Sequence, residues 1–347
     1  MNSRPVYCRY CHTLDPVTSR ASERRWLAFF AALLASVVPS LAAELKLPQL
    51  WQTDLQTFLE SSGIVADLNG DGREQVVVAG REELIALDGK GKVLWRWRTK
   101  ARFMTYPAVR VRAGQPSLIY AADNGGLFTC LDGAGKEVWH AQLNAGSSWS
   151  ATVVCDLDGD GNVEVIQTDE SGTVWAFAAL TGKPLWQTKI EGIPVSPAVG
   201  DLDGDGKPEI VVATGQGMVT ALNAAGQVLW ERKVGGSSQS WATSAPVIFA
   251  GSDRRGRVAA ASSDGQFFCF DSKGEVLWQR ATRGAVASTI SVGDLDLDGR
   301  AEICLITQVG VIYRFDEGGR VLWEIDMQGR SLAPGAMIDL DGDGKLE

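Results

Sequence analysis

A Leu-Trp or Val-Trp pair returns along the chain at Trp51, Trp95, Trp139, Trp186, Trp230, Trp278 and Trp323, at spacings of 44, 44, 47, 44, 48 and 45 residues. A second signal keeps the same beat. In Asp201-Leu202-Asp203-Gly204-Asp205-Gly206-Lys207-Pro208-Glu209, oxygen-bearing side chains fall at positions one, three, five and nine, with Gly at six. The loop recurs from Asp67, Asp156, Asp294 and Asp339, one or two periods apart. A period of this length is too short for a self-sufficient domain. It describes one supersecondary unit that buries its faces only against copies of itself.

Each period reads as four short strands. In 195–234 the first strand is Val195–Gly200 and the acid loop follows. The second strand is Glu209–Ala213, a Gly turn leads to Met218–Leu222, and Asn223-Ala224-Ala225-Gly226 turns into Val228–Arg232. Asp or Asn opens most of these last turns and Gly closes them, as a tight hairpin with a positive-φ residue requires. No helical periodicity appears after residue 43. The expected fold is all-β, a β-propeller of four-stranded blades. There are about seven or eight blades, the last incomplete, and the tryptophan wedges between neighbours. Expected units are 62–99, 105–142, 149–190, 195–234, 242–281 and 287–327, with a partial unit at 332–347 and a lone closing strand at 49–56. The partial unit stops at Glu347, so either the sequence is truncated there or the last blade stays open, with a gap or an exposed edge beside the first blade.

Residues 1–43 read as a discarded leader. Five arginines precede an apolar run from Trp26 to Val38, and Ser40-Leu41-Ala42-Ala43 offers a small-residue cleavage site. Export to the periplasm, cell surface or medium is expected, with no membrane span after cleavage. Cys8-Arg9-Tyr10-Cys11-His12 has the form of a haem-attachment motif, but it lies in the discarded part. Without residues 1–43 the chain keeps 28 basic and 40 acidic residues, a net charge of −12. That balance argues against a nucleic-acid partner, which needs a basic face.

The acid loops account for much of this charge, and their spacing is that of a calcium loop. Alternate carboxylates turn onto one hard cation, and the position-seven carbonyl adds an oxygen. The candidate ligands are Asp67, Asn69, Asp71 and Gln75; Asp156, Asp158, Asp160 and Glu164; Asp201, Asp203, Asp205 and Glu209; Asp294, Asp296, Asp298 and Glu302; and Asp339, Asp341, Asp343 and Glu347. Carboxylates this close repel one another unless a cation joins them. Ca2+ is expected in a structural role, because loops filled by protein ligands leave no open position for catalysis. The loop is missing near 112–118 and 250–258, where the period would place it.

The acid loops resemble the FG-GAP/VCBS-type calcium repeat of secreted and cell-surface propellers, including the integrin α-subunit head. The strand–turn–Leu-Trp unit resembles the PQQ-like repeat of quinoprotein dehydrogenases and of an outer-membrane assembly lipoprotein. Together the resemblances cover about 50–347, and they imply a propeller with calcium at the loops named. Two departures stand out. Asn69 and Gln75 leave the first loop two carboxylates, and Leu297 replaces the usual Gly at position four.

Catalytic motifs are sparse. His140 is the one histidine after residue 43, and no nucleophile elbow, phosphate loop or zinc pattern occurs. Cys130, Cys155, Cys269 and Cys304 are widely spaced, and two of them occupy the repeat position that holds Ala86 and Ala221, as small buried residues do. The expected function is a non-catalytic binding or scaffold module for a protein or polysaccharide. The alternatives are a quinoprotein-type (PQQ) oxidoreductase, although the adjacent cysteine pair of those enzymes is missing, and a polysaccharide lyase of the calcium-propeller type. Candidate ligand contacts, on the face opposite the acid loops, are Arg102, Phe103, Tyr106, Trp149, Trp241, Arg283 and Arg330.

Overall fold

The computed structural model describes residues 49–59, 61–112, 114–147, 150–235, 244–286 and 289–331, together with 337, 339 and 346. Among them are six four-stranded antiparallel sheets, each a simple up-and-down meander. The first sheet is β1 (Ile64–Ala66), β2 (Gln75–Ala79), β3 (Glu83–Leu87) and β4 (Val93–Arg98). The first strands of the others are β5 (Ala108–Arg112), β9 (Val153–Cys155), β13 (Ala198–Gly200), β17 (Val247–Ala250) and β21 (Ser291–Gly293). These first strands pack in series, β1 on β5, β5 on β9 and onward to β21, and so line the inside of the array. The fourth strands lie outermost: β4 alternates between half-buried and exposed residues, whereas β3 is buried throughout.

The cores lie between sheets. One cluster joins Val211, Ala221 and Trp230 of the fourth sheet to Val258 and Phe270 of the fifth. Strands buried on both faces read as unbroken apolar runs, as at 210–213 within Glu209–Ala213.

The recurrent tryptophan is the joint. Its ring lies against the last hairpin of the following sheet and its Nε1 donates to a carbonyl there. The pairs are Trp95 to Gly133 O (2.9 Å), Trp139 to Ala179 O (3.0 Å), Trp186 to Ala224 O (3.0 Å), Trp230 to Ser272 O (3.0 Å) and Trp278 to Glu317 O (2.9 Å). Each hairpin closes on a positive-φ glycine beneath the indole. Asp132, Asp271 and Asp316 open three of these hairpins, and Asp88 that of the first sheet, by accepting backbone N–H bonds two and four residues on.

Trp51 lies on Gly91 of the first sheet in the same way, and Thr53 Oγ1 donates to Gly91 O at 2.6 Å. The expected closing strand at 49–56 forms no ladder among the described residues, yet its tryptophan takes the place an outer strand of a preceding blade would fill. At the other end Trp323, on β24 (Val321–Asp326), stays 38% exposed. Of the partial unit at 332–347 only residues 337, 339 and 346 are described, and the leader at 1–43 lies outside the described residues.

Candidate metal centres and the opposite face

Each of the four described acid loops, at 67–75, 156–164, 201–209 and 294–302, joins the first strand of its sheet to the second. In the fourth sheet Asp201 follows β13 and Glu209 opens β14 (Glu209–Ala213). Leu202 is buried between sheets and pins the loop. Glu209 is buried too, and its Oε2 accepts from Leu202 N at 2.8 Å. Asp201 accepts from Gly204 N (2.7 Å) and Gly206 N (3.1 Å). Gly204 and Gly206 have φ of 85° and 86° with open space where a side chain would stand, so backbone conformation alone selects glycine there.

This folding brings Asp201, Asp203 and Glu209 together, with one oxygen from each within 4.8 Å of the others. Asp156, Asp158 and Glu164 converge in the same way, with Glu164 Oε2 accepting from Leu157 N at 2.8 Å. No Lys or Arg pairs with these six carboxylates among the described residues. Burial raises Glu209 and Glu164 above the ordinary carboxylate range, and the neighbouring aspartates push the same way, against the hydrogen bonds from Leu202 and Leu157. Converging, uncompensated oxygens around a buried glutamate fit a hard cation.

The position-five aspartates stand outside the converging sets. Asp205 accepts from Lys207 N and Asp160 from Asn162 N, both at 2.7 Å, which shapes the turn. Asp71 and Asp298 do the same toward Arg73 N (3.0 Å) and Arg300 N (2.8 Å). The even spacing of acids in the sequence therefore overstates the number that face one point.

The two remaining described loops differ. Asp294, Asp296 and Glu302 converge, but Arg314 Nη2 lies 2.8 Å from Asp296 and 3.1 Å from Glu302. Leu297 accommodates the missing glycine at a φ of 62°. In the first loop Gln75 Oε1 accepts from Leu68 N at 2.7 Å, as the glutamates do elsewhere, and its Nε2 donates to Arg73 O at 2.7 Å. Asp67 Oδ1 and Oδ2 accept from the backbone of the loop, including Gly70 N and Gly72 N. Asn69 and Asp71 join no cluster of three acids. Asp341, Asp343 and Glu347 lie outside the described residues, and of the fifth loop's candidate ligands Asp339 alone is described. The loopless fifth sheet closes with Glu317, which accepts from Ser252 N at 2.8 Å.

On the opposite face, the connection leaving one sheet meets the middle turn of the next. Asn124 N donates to Arg102 O (2.8 Å), Glu170 N to Gly146 O (2.8 Å) and Gln308 N to Ala285 O (2.8 Å). Arg102 and Tyr106 are half-buried there, and Arg283 and Arg330 are exposed. Arg283 pairs with Asp326 at 2.9 Å. Phe103, expected among the ligand contacts of this face, is instead 1% exposed and packs beside Trp97 in the core between the first two sheets. Trp149 and Trp241 lie outside the described residues. His140 is on the outer strand, 2.7 Å from Glu137. The four described cysteines are free thiols.

Radially arranged four-stranded meanders, joined strand one to strand one, define a β-propeller. A family model described as outer membrane protein assembly factor BamB matches residues 110–295, more than half of the chain, and the chain belongs to this family of PQQ-like repeat propellers. A second model, described as the lambda-carrageenase beta-propeller domain, matches residues 257–338. Neither is of the FG-GAP/VCBS type. No curated protein sequence matches. Among solved structures, BamB from Moraxella catarrhalis is 18% identical with a TM-score of 0.60, over 84% of this chain and 80% of that one. Sqt1 of Saccharomyces cerevisiae is 13% identical with a TM-score of 0.61, over 78% and 75%. BBS1N, solved in complex with ARL6DN, is 12% identical with a TM-score of 0.54, over 78% and 82%. At these identities the likeness is one of fold. Among the described residues no helix is long and apolar enough to cross a membrane.

Proposed function

We propose that this chain is an exported, calcium-stabilised propeller that serves as a non-catalytic scaffold for a protein partner. The observation that carries the metal part is the pair of uncompensated carboxylate triads at 156–164 and 201–209, each built around a buried glutamate. Ca2+ there braces the first and second strands of a blade. It supplies charge neutralisation and no reaction step. The binding part is supported by membership of a family named for an assembly factor and by a propeller of like fold solved with a protein partner. The partner surface is assigned to the face carrying Arg102, Arg283 and Arg330, where connections vary in sequence while the acid loops repeat.

The test is a photo-crosslinking amino acid placed at Arg330 or at Lys207, in the chain expressed with its leader. A defined protein adduct from position 330 and none from 207 supports the assignment. Adducts from 207 alone, or none from either, overturn it. The match to a carrageenase propeller model favours polysaccharide as the second reading. Retardation in gels cast with sulfated galactans, or product formation from them, would replace the protein reading. Turnover with added PQQ, calcium and a dye acceptor would mark an oxidoreductase.

A further inference from the structure

The repeat pairing exposes one substitution with a chemical consequence. On the third strand of each sheet, the residue directly opposite the outer-strand tryptophan is Ala86, Cys130, Ala176, Ala221, Cys269 and, in the sixth sheet, Arg314. Five small buried residues thus give way to one arginine. Its guanidinium reaches the acid loop of its own sheet and contacts two of the three converging carboxylates, Asp296 and Glu302. A donor fork held at 2.8 and 3.1 Å places positive charge where a cation would have to sit, and a fixed arginine is never deprotonated.

We infer that Arg314 is the resident cation of the sixth-sheet loop, which folds charge-balanced without a metal ion, and that the first-sheet loop is likewise closed from within by Gln75. The second case rests on its own geometry. A carboxylate at position nine would leave the Arg73 carbonyl free to ligate. The Gln75 amide instead donates to that carbonyl, while its oxygen keeps the tie to Leu68 N. The described loops therefore divide into two that need an ion, at 156–164 and 201–209, and two that carry a substitute. This rests on the calcium reading of the first two.

Calcium stoichiometry of the leaderless chain, measured by equilibrium dialysis and calorimetry, tests it by difference, so the undescribed part of the fifth loop cancels. Asp158→Asn and Asp203→Asn are each expected to lose one ion per chain, and Asp296→Asn none. Arg314→Ala is expected to gain one, and Arg314→Lys to gain none. Alanine stands at this position in three sister sheets, so the sheet accommodates it, and circular dichroism confirms folding before titration. If Asp158→Asn and Asp203→Asn lose nothing, the calcium reading itself fails. If they each lose an ion but Asp296→Asn also does, or folded Arg314→Ala gains none, the inference about Arg314 is overturned and calcium binding stands.

Discussion

The indole of Trp139 lies so close to Gly182 that a Cβ on the glycine would stand 2.5 Å from the ring. Gly182 also has a φ of 67°. The glycine is thus required twice, by its backbone conformation and by the ring above it. Gly72 has a φ of 79° with nothing near it, so only the first requirement applies there. Gly72→Ala is expected to cost about 1–2 kcal/mol for the left-handed backbone. Gly182→Ala is expected to cost about 1–3 kcal/mol more for overpacking. Urea midpoints of the two variants check this, and equal losses would mean the indole moves aside freely.

Calcium removal should lower the melting temperature, and calcium should restore it. An ion at 100 times its dissociation constant contributes about 2.7 kcal/mol per site to the folded state. Scanning calorimetry in EDTA and in millimolar calcium measures the shift. No difference between the two would remove the metal from the account.

Gln167 is fully buried on the second strand of the third sheet, Glu164–Asp169. Its Nε2 donates to Ser147 Oγ at 2.7 Å and to two carbonyls, and its Oε1 accepts from Thr152 Oγ1 at 2.5 Å. Gln167→Leu keeps most of the volume but strands these partners. The expected loss is about 1–3 kcal/mol for each group left unsatisfied, read from chemical denaturation. A neutral result would mean the cluster is replaced by water.

Burial pushes the Cys130 and Cys269 thiols up to about 12 and the Cys304 thiol up to about 11. In the unfolded chain thiols ionise near 9. The folded protein therefore holds protons that the unfolded one has released, and stability falls as pH rises from about 9 toward 11–12. The same burial predicts slow alkylation of Cys130 and Cys269 in native protein at pH 8, against rapid reaction in denaturant. Mass spectrometry after timed iodoacetamide treatment decides the matter, with fast native labelling of either residue as the contrary result.

The sequence alone carried the architecture. A four-strand pattern returning every ~45 residues cannot bury its faces singly, so Trp95 to Trp278 could be placed between blades before any contact was known. The acid loops were legible as turns that bring acidic side chains together, because alternate residues of a short loop face one way. What spacing could not give was which oxygens converge. Asp160 and Asp205 share the alternation yet stand outside the converging sets. Phe103 looked like an exposed aromatic in a connection, but burial depends on the neighbouring sheet. Arg314 was detectable as an odd residue at a small-residue position, whereas its partner was not, since Asp296 lies 18 residues away and meets it only when two strands pair. Local periodicity fixes which units form and how they repeat. Charge compensation is a sum over groups distant in sequence, and only the packed structure brings that sum to one point.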